Sequence, residues 1–159
     1  MMMNAIVIIK KADINDLEKI EGFLKPFIHE GTLLYLPREK LEENIRGFLI
    51  ALNIKNTIVG SIWLFEWGRE LAEIRSFAVD LTYRGNGIGL RLLEGAVNQA
   101  KSLKNKRLFA LTYSADFFVR AGSGFGIVQK ESLPEKIWGD RIFCTSRNDC
   151  KEQAVALNL

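Results

Sequence analysis

The apolar positions mark out a helix near the start of the chain. Leu17, Ile20, Phe23, Leu24, Phe27 and Ile28 recur at the spacing of one helical face. Asp13, just ahead of Asn15-Asp16-Leu17-Glu18, supplies an N-cap. Pro26 should kink or split this helix, and Gly31 should end it. Residues 5–10, before it, are β-rich. Pro37 opens a second, short helix running to about Arg46. Residues 48–54 and 57–67 then read as two strands around a tight turn at Lys55-Asn56. Gly68-Arg69 turns the chain into a third strand, Leu71–Val79, making an antiparallel meander.

The clearest helix covers residues 87–104. Leu90, Leu93, Val97 and Ala100 give it an apolar face, while Lys101, Lys104 and Lys106 suit its C-terminal dipole. An apolar strand at 108–112, a short helix at Ala115–Arg120 and a strand at 125–129 follow. Residues 133–150 read as a long irregular connection, and 152–159 as a final strand that offers a pairing edge for a homodimer. Strands alternating with helices predict an α/β fold, and 159 residues fit one domain, 1–159.

Composition narrows the function. A formal charge of +3 is too small to argue for a nucleic-acid partner, though it permits a locally basic pocket. No apolar run is long enough to span a bilayer, and the first ten residues lack the features of a signal peptide. The expectation is a cytoplasmic protein with no membrane partner. Cys144 and Cys150 are then free thiols, and with His29 as the only histidine no metal-ligand set is evident. His29 ends the first helix, where a cation suits the dipole.

The segment Arg84-Gly85-Asn86-Gly87-Ile88-Gly89 joins a strand to the strongest helix. Glycines at alternate positions let successive backbone N–H groups turn toward one point. At a helix N-terminus those groups favour an anion, and Arg84 adds a charge that suits a phosphate. Two other phosphate motifs fit worse. No Lys-Ser/Thr follows the glycines as a P-loop needs, and the third glycine comes one residue too early for Gly-x-Gly-x-x-Gly. A glycine-rich turn with no ligand is the bland alternative.

This loop and its setting, from Leu71 to Leu93, resemble motif A of the GNAT superfamily, with Arg84, Gly87 and Gly89 at its defining positions. The order of elements along nearly the whole chain also matches that fold. The resemblance implies a mixed, mostly antiparallel central sheet with helices on both faces. It also implies an acyl-CoA donor, acetyl-CoA first, with the pyrophosphate on Arg84–Gly89 and the pantetheine where the strand ending at Val79 splays from the 108–112 strand. Backbone groups of Phe77, Ala78 and Val79 would hold the pantetheine and the thioester carbonyl.

Acetylating an amine requires removing its proton, stabilising an oxyanion and protonating the leaving thiolate. Glu73 matches the position of the glutamate base on the corresponding strand of histone-acetylating GNAT enzymes; the alternative is a charge on a wet strand face. Tyr113 is the candidate acid. The tyrosine that many GNAT enzymes carry in the next helix corresponds here to Phe118, which cannot donate, and the turn at residues 121–125 is longer than usual.

Several segments together resemble the short, stand-alone N-acetylglutamate synthase branch of the family. They are Leu36-Pro37-Arg38, Ala72-Glu73-Ile74-Arg75-Ser76, Leu111-Thr112-Tyr113 and Leu133-Pro134-Glu135-Lys136-Ile137-Trp138. That resemblance implies transfer to the α-amine of L-glutamate, the opening step of arginine biosynthesis. Guanidinium forks suit its two carboxylates, so Arg38 and Arg75 are the candidate acceptor ligands, with a hydrogen bond from Ser114. Their bland alternatives are a solvated helix charge for Arg38 and a surface ion pair with Glu66 or Glu70 for Arg75. Trp63, Phe65, Trp67 and Trp138 could line a pocket, but aromatic residues on strands are more often core. Two other functions stay open: acetylation of a different small amine or peptide N-terminus, and acyl-CoA sensing without turnover.

Overall fold

The computed structural model describes residues 6–140 and 151–159, which form seven strands and four α-helices with 3-10 turns between them. They divide into two compact units. One holds the described residues up to Phe65 together with Ile74–Gln99; the other holds Glu66–Glu73 and the described residues from Ala100 onward.

In the first unit, β1 (Ile8–Lys11) pairs antiparallel with β2 (Phe48–Leu52), and β2 pairs antiparallel with β3 (Ile58–Glu66). The strand β4 (Leu71–Val79) lies next in order. The hairpin between β2 and β3 closes where Asn53 N–H donates to Thr57 O at 3.0 Å, with Asn56 at φ 62°. Asp13 caps a 3-10 turn through a capping box with Asp16, and this turn leads into α1 (Leu17–His29). Of the kink or split expected at Pro26, the split does not occur: α1 continues through it. Pro26 and Gly22, four residues earlier, both lie on the exposed side, where water can hydrate the carbonyl that loses its donor. Gly31 ends the helix as expected: its N–H donates to Ile28 O, and Thr32 N–H donates to Phe27 O.

Ile20 and Leu24 of α1, with Leu41 of α2 (Arg38–Glu43), pack on Phe48, Ile50 and Trp63. Phe48 and Trp63 face each other across β2 and β3 with their rings stacked at 5.3 Å. The other face of β2 meets α3 (Ile88–Ser102), where Leu49 lies against Gly95. This unit therefore carries helices on both faces of its strands. The buried face of α3 takes in Leu93, Val97 and Ala100 as expected and widens to Ile88, Leu92 and Ala96, while Leu90 lies only at its edge. Gly60 explains the place of Leu92 and Ile88. A Cβ there would sit 3.0 Å from Leu92 and 3.2 Å from Ile88, so the helix seats those two side chains directly over it.

In the second unit, β7 (Gln153–Asn158) lies between β5 (Arg107–Thr112) and β6 (Gly126–Val128), antiparallel to both. The final strand is therefore not the edge strand expected: β5 runs along one side of it and β6 along Ala154–Ala156 on the other. Its core joins Leu71, Phe109, Leu111, Leu133, Ile137, Ala154 and Ala156. The connection expected to be irregular includes a 3-10 helix, Glu135–Asp140. Cys144 and Cys150 lie outside the described residues.

Candidate functional site

The glycine loop is built from the strand that precedes it. Near the end of β4, Ser76 takes φ 47°, a left-handed conformation inside a strand, and its carbonyl accepts a 2.7 Å bond from the buried hydroxyl of Ser61 on β3. Asp80 N–H donates to Val59 O at 2.8 Å. Phe77, Ala78 and Val79 lie between these two ties. Asp80 then caps a 3-10 turn, Leu81–Tyr83, accepting from Thr82 N–H and Thr82 Oγ1.

Gly85 and Gly87 have φ 84° and 76°, and a Cβ at either would meet no other atom within 4 Å. Glycine is needed there for backbone conformation, not for space. Asn86 Nδ2 donates to Tyr83 O at 2.9 Å, and Tyr83 accepts a bond from Asn53 Nδ2 at 3.1 Å, which ties the loop to the β2–β3 hairpin. Arg91 N–H donates to Gly87 O at 3.1 Å, so the N–H groups of Ile88, Gly89 and Leu90 precede the helix's own ladder. Ile88 buries its side chain, leaving only its backbone to meet a ligand. Arg84 is exposed, with Nε 3.4 Å from Val79 O, and no carboxylate among the described residues pairs with it. The loop thus presents a guanidinium and helix-start donors together, an arrangement suited to a pyrophosphate.

Arg75 lies over the Phe65 ring at 4.4 Å and near the Trp63 ring at 5.6 Å, which makes it a cation held against aromatic faces. Arg38 is committed to α1: Nη1 lies 2.9 Å from Glu21 Oε1, and Nη2 lies 3.9 Å from Glu18. Glu70 pairs with Lys106, and Glu66 accepts a bond from Asn105.

Glu73 is fully buried in the second unit, not on a wet strand face, and Oε1 accepts a 3.0 Å bond from Trp67 Nε1. Tyr113 is 59% exposed at the end of β5, and Ser114 N–H donates to Thr112 Oγ1 before α4 (Ala115–Arg120). Phe118 is core, edge-on to Phe125 at 5.2 Å. Trp63 is likewise core, whereas Trp67 and Trp138 pack at the margin of the second unit's cluster. Among the described residues no group of His, Cys, Asp and Glu could hold a metal. The sequence did not single out Ser61 or Ser76, and it offered Trp67 as core or pocket lining, not as a donor to Glu73. For Ser61 a signal existed, a lone hydroxyl inside the apolar run Ile58-Val59-Gly60-Ser61-Ile62-Trp63-Leu64.

The model of the acetyltransferase (GNAT) family matches residues 14–123. This chain belongs to the GNAT family. Its match takes in Glu73, Arg75, the glycine loop and Tyr113. Across 95% of its length the GNAT chain is 32% identical to an uncharacterized N-acetyltransferase of Chlorobaculum tepidum, of which it covers 96%. It is also 32% identical, over 79% of its length, to an amino-acid acetyltransferase of Vibrio cholerae, but spans only 28% of that longer protein. The N-acetylglutamate synthase of Neisseria gonorrhoeae, solved with coenzyme A and N-acetyl-glutamate, superposes with a TM-score of 0.84 at 27% identity, over 99% of this chain and 36% of that one. The fold is thus the α/β fold of GNAT acetyltransferases.

Proposed function

We propose that this GNAT acetyltransferase moves an acetyl group from acetyl-CoA to the α-amine of L-glutamate by direct attack in a ternary complex. The reading treats residues 1–159 as one catalytic domain, working in the cytoplasm at the opening step of arginine biosynthesis. The observation that carries it is the loop from Arg84 to Gly89, with Gly85 and Gly87 at positive φ, an exposed guanidinium that no carboxylate among the described residues pairs with, and the start of α3. Acetyl-CoA supplies an acyl group activated as a thioester.

In this reading, Arg84, Gly85, Asn86 and the N–H groups of Gly87, Ile88 and Gly89 hold the pyrophosphate. Backbone groups of Phe77, Ala78 and Val79 align the pantetheine and the thioester carbonyl. Glu73 accepts the ammonium proton, directly or through a water, and Tyr113 returns a proton to the departing thiolate. Arg75 binds an acceptor carboxylate, helped by Ser114. Arg38 could join only by giving up Glu21, so Arg75 is the stronger of the two. The synthase from Neisseria gonorrhoeae and the amino-acid acetyltransferase of Vibrio cholerae support an amino-acid acceptor.

Release of free CoA thiol from acetyl-CoA, followed with L-glutamate and then a panel of other amines, tests the proposal. Stimulation by glutamate is expected. Stimulation only by another amine replaces the acceptor, and no stimulation by any amine replaces catalysis with binding.

A further inference from the structure

Trp67 is tied at three polar atoms within the second unit. Its backbone N–H donates to Leu71 O at 2.7 Å, and its indole Nε1 donates to Glu73 Oε1 at 3.0 Å. Its carbonyl accepts from Lys136 Nζ at 2.9 Å, and Lys136 belongs to the 3-10 helix Glu135–Asp140. The indole ring packs at the edge of the cluster formed by Leu71, Phe109, Leu133 and Ile137. The two backbone bonds fix the main chain at Trp67, and the indole bond and ring packing leave the side chain little rotational freedom. A buried carboxylate requires hydrogen-bond donors, and a bond to a charged acceptor is stronger than a neutral one. Indole N–H is donor only, so it fixes the direction of Oε1 without competing for a proton.

We propose that Trp67 is a positioning residue for acyl transfer: its indole orients the Glu73 carboxylate, and Lys136 holds Trp67 in place from the C-terminal side. This rests on Glu73 acting as the base. It adds that the base is set by a residue across the β3–β4 turn and by a lysine sixty-nine positions further along the chain.

The test is Trp67→Phe, which keeps an aromatic ring and removes the donor. Turnover should fall by about 10- to 100-fold, the value of a hydrogen bond to a charged group, with KM for acetyl-CoA unchanged. Lys136→Met, at an exposed site, should lower kcat by about 3- to 10-fold in the same manner, and it serves as the second variant if Trp67→Phe does not fold. An unchanged kcat in folded Trp67→Phe, or a loss confined to KM, overturns the proposal.

A second readout needs no turnover. In proton–nitrogen spectra the Trp67 indole resonance, distinguished from those of Trp63 and Trp138 by its disappearance in Trp67→Phe, should move upfield in Glu73→Ala. No movement would mean that the bond does not form, and the proposal falls whatever the activity. A parent protein inactive with every amine, whose Trp67 resonance still responds to Glu73→Ala, overturns the proposed reaction and leaves the hold on Glu73 standing.

Discussion

Ser61→Ala removes the bond that holds the left-handed residue in β4. The bond is short, 2.7 Å, and its donor Ser61 is wholly buried while Ser76 is half-buried, so the Ser76 carbonyl loses its partner on the buried side. Leaving one buried polar group unsatisfied costs about 1–3 kcal/mol. The φ of 47° at Ser76 is itself strained, since the left-handed region costs an L-residue about 1–2 kcal/mol. Ser76→Gly relieves that strain but adds about 0.5–1 kcal/mol of chain entropy to be lost on folding, so it should be neutral or slightly stabilising. Urea unfolding of both variants gives the two signs. Calorimetric titration with acetyl-CoA adds a functional reading: Ser61→Ala should bind it more weakly, because the bond fixes the direction of the backbone at Phe77, Ala78 and Val79. The reasoning fails if Ser61→Ala unfolds within about 0.5 kcal/mol of the parent, the range of an inconsequential surface change. It also fails if Ser76→Gly proves as damaging as Ser61→Ala.

Three further outcomes are expected. Arg84→Gln should weaken CoA binding by about 10- to 100-fold through loss of a charged donor, with unfolding unchanged because the side chain is exposed; calorimetry and denaturation separate the two effects. Pro26→Ala should stabilise the chain by about 1–3 kcal/mol, since α1 continues past an exposed proline that cannot donate to Gly22, and a raised melting temperature would show it. Phe65→Ala removes the ring nearest the Arg75 guanidinium, an interaction of about 0.5–2 kcal/mol. Steady-state kinetics should then show KM for glutamate rising while KM for acetyl-CoA holds.

Where local periodicity and turn chemistry were enough, the elements were legible: β4 and α4 fall on the residues the pattern marks, and Gly31 stops α1. The misreadings share a cause. In α3 both Leu90 and Leu92 lie at helical spacing from other apolar residues, and the choice between them is made by the absence of a side chain at Gly60, on another strand. Alternation along residues 153–158 gave no sign that β5 and β6 flank that strand. Pro26 was read by what it does to a buried helix, whereas it lies on the exposed face, where its cost is lower.

The contact between Trp67 and Glu73 belongs to a different class, because its ingredients were readable and only one number was missing. Trp67 N–H donates to Leu71 O, which sets these two residues opposite each other across the turn. Residues opposite each other in an antiparallel pair share a face, and so do residues two apart on one strand. Leu71 and Glu73 are two apart, so Trp67 and Glu73 become diagonal neighbours, near enough for a long aromatic side chain to reach the carboxylate. Had the turn been one residue longer or shorter, the parity would reverse and the indole would point away from Glu73. The turn at residues 68–70 therefore does more than join two strands: its length decides whether the Trp67 indole can reach the candidate base. An insertion there should cost the protein its base alignment even if both strands and the glycine loop fold unchanged.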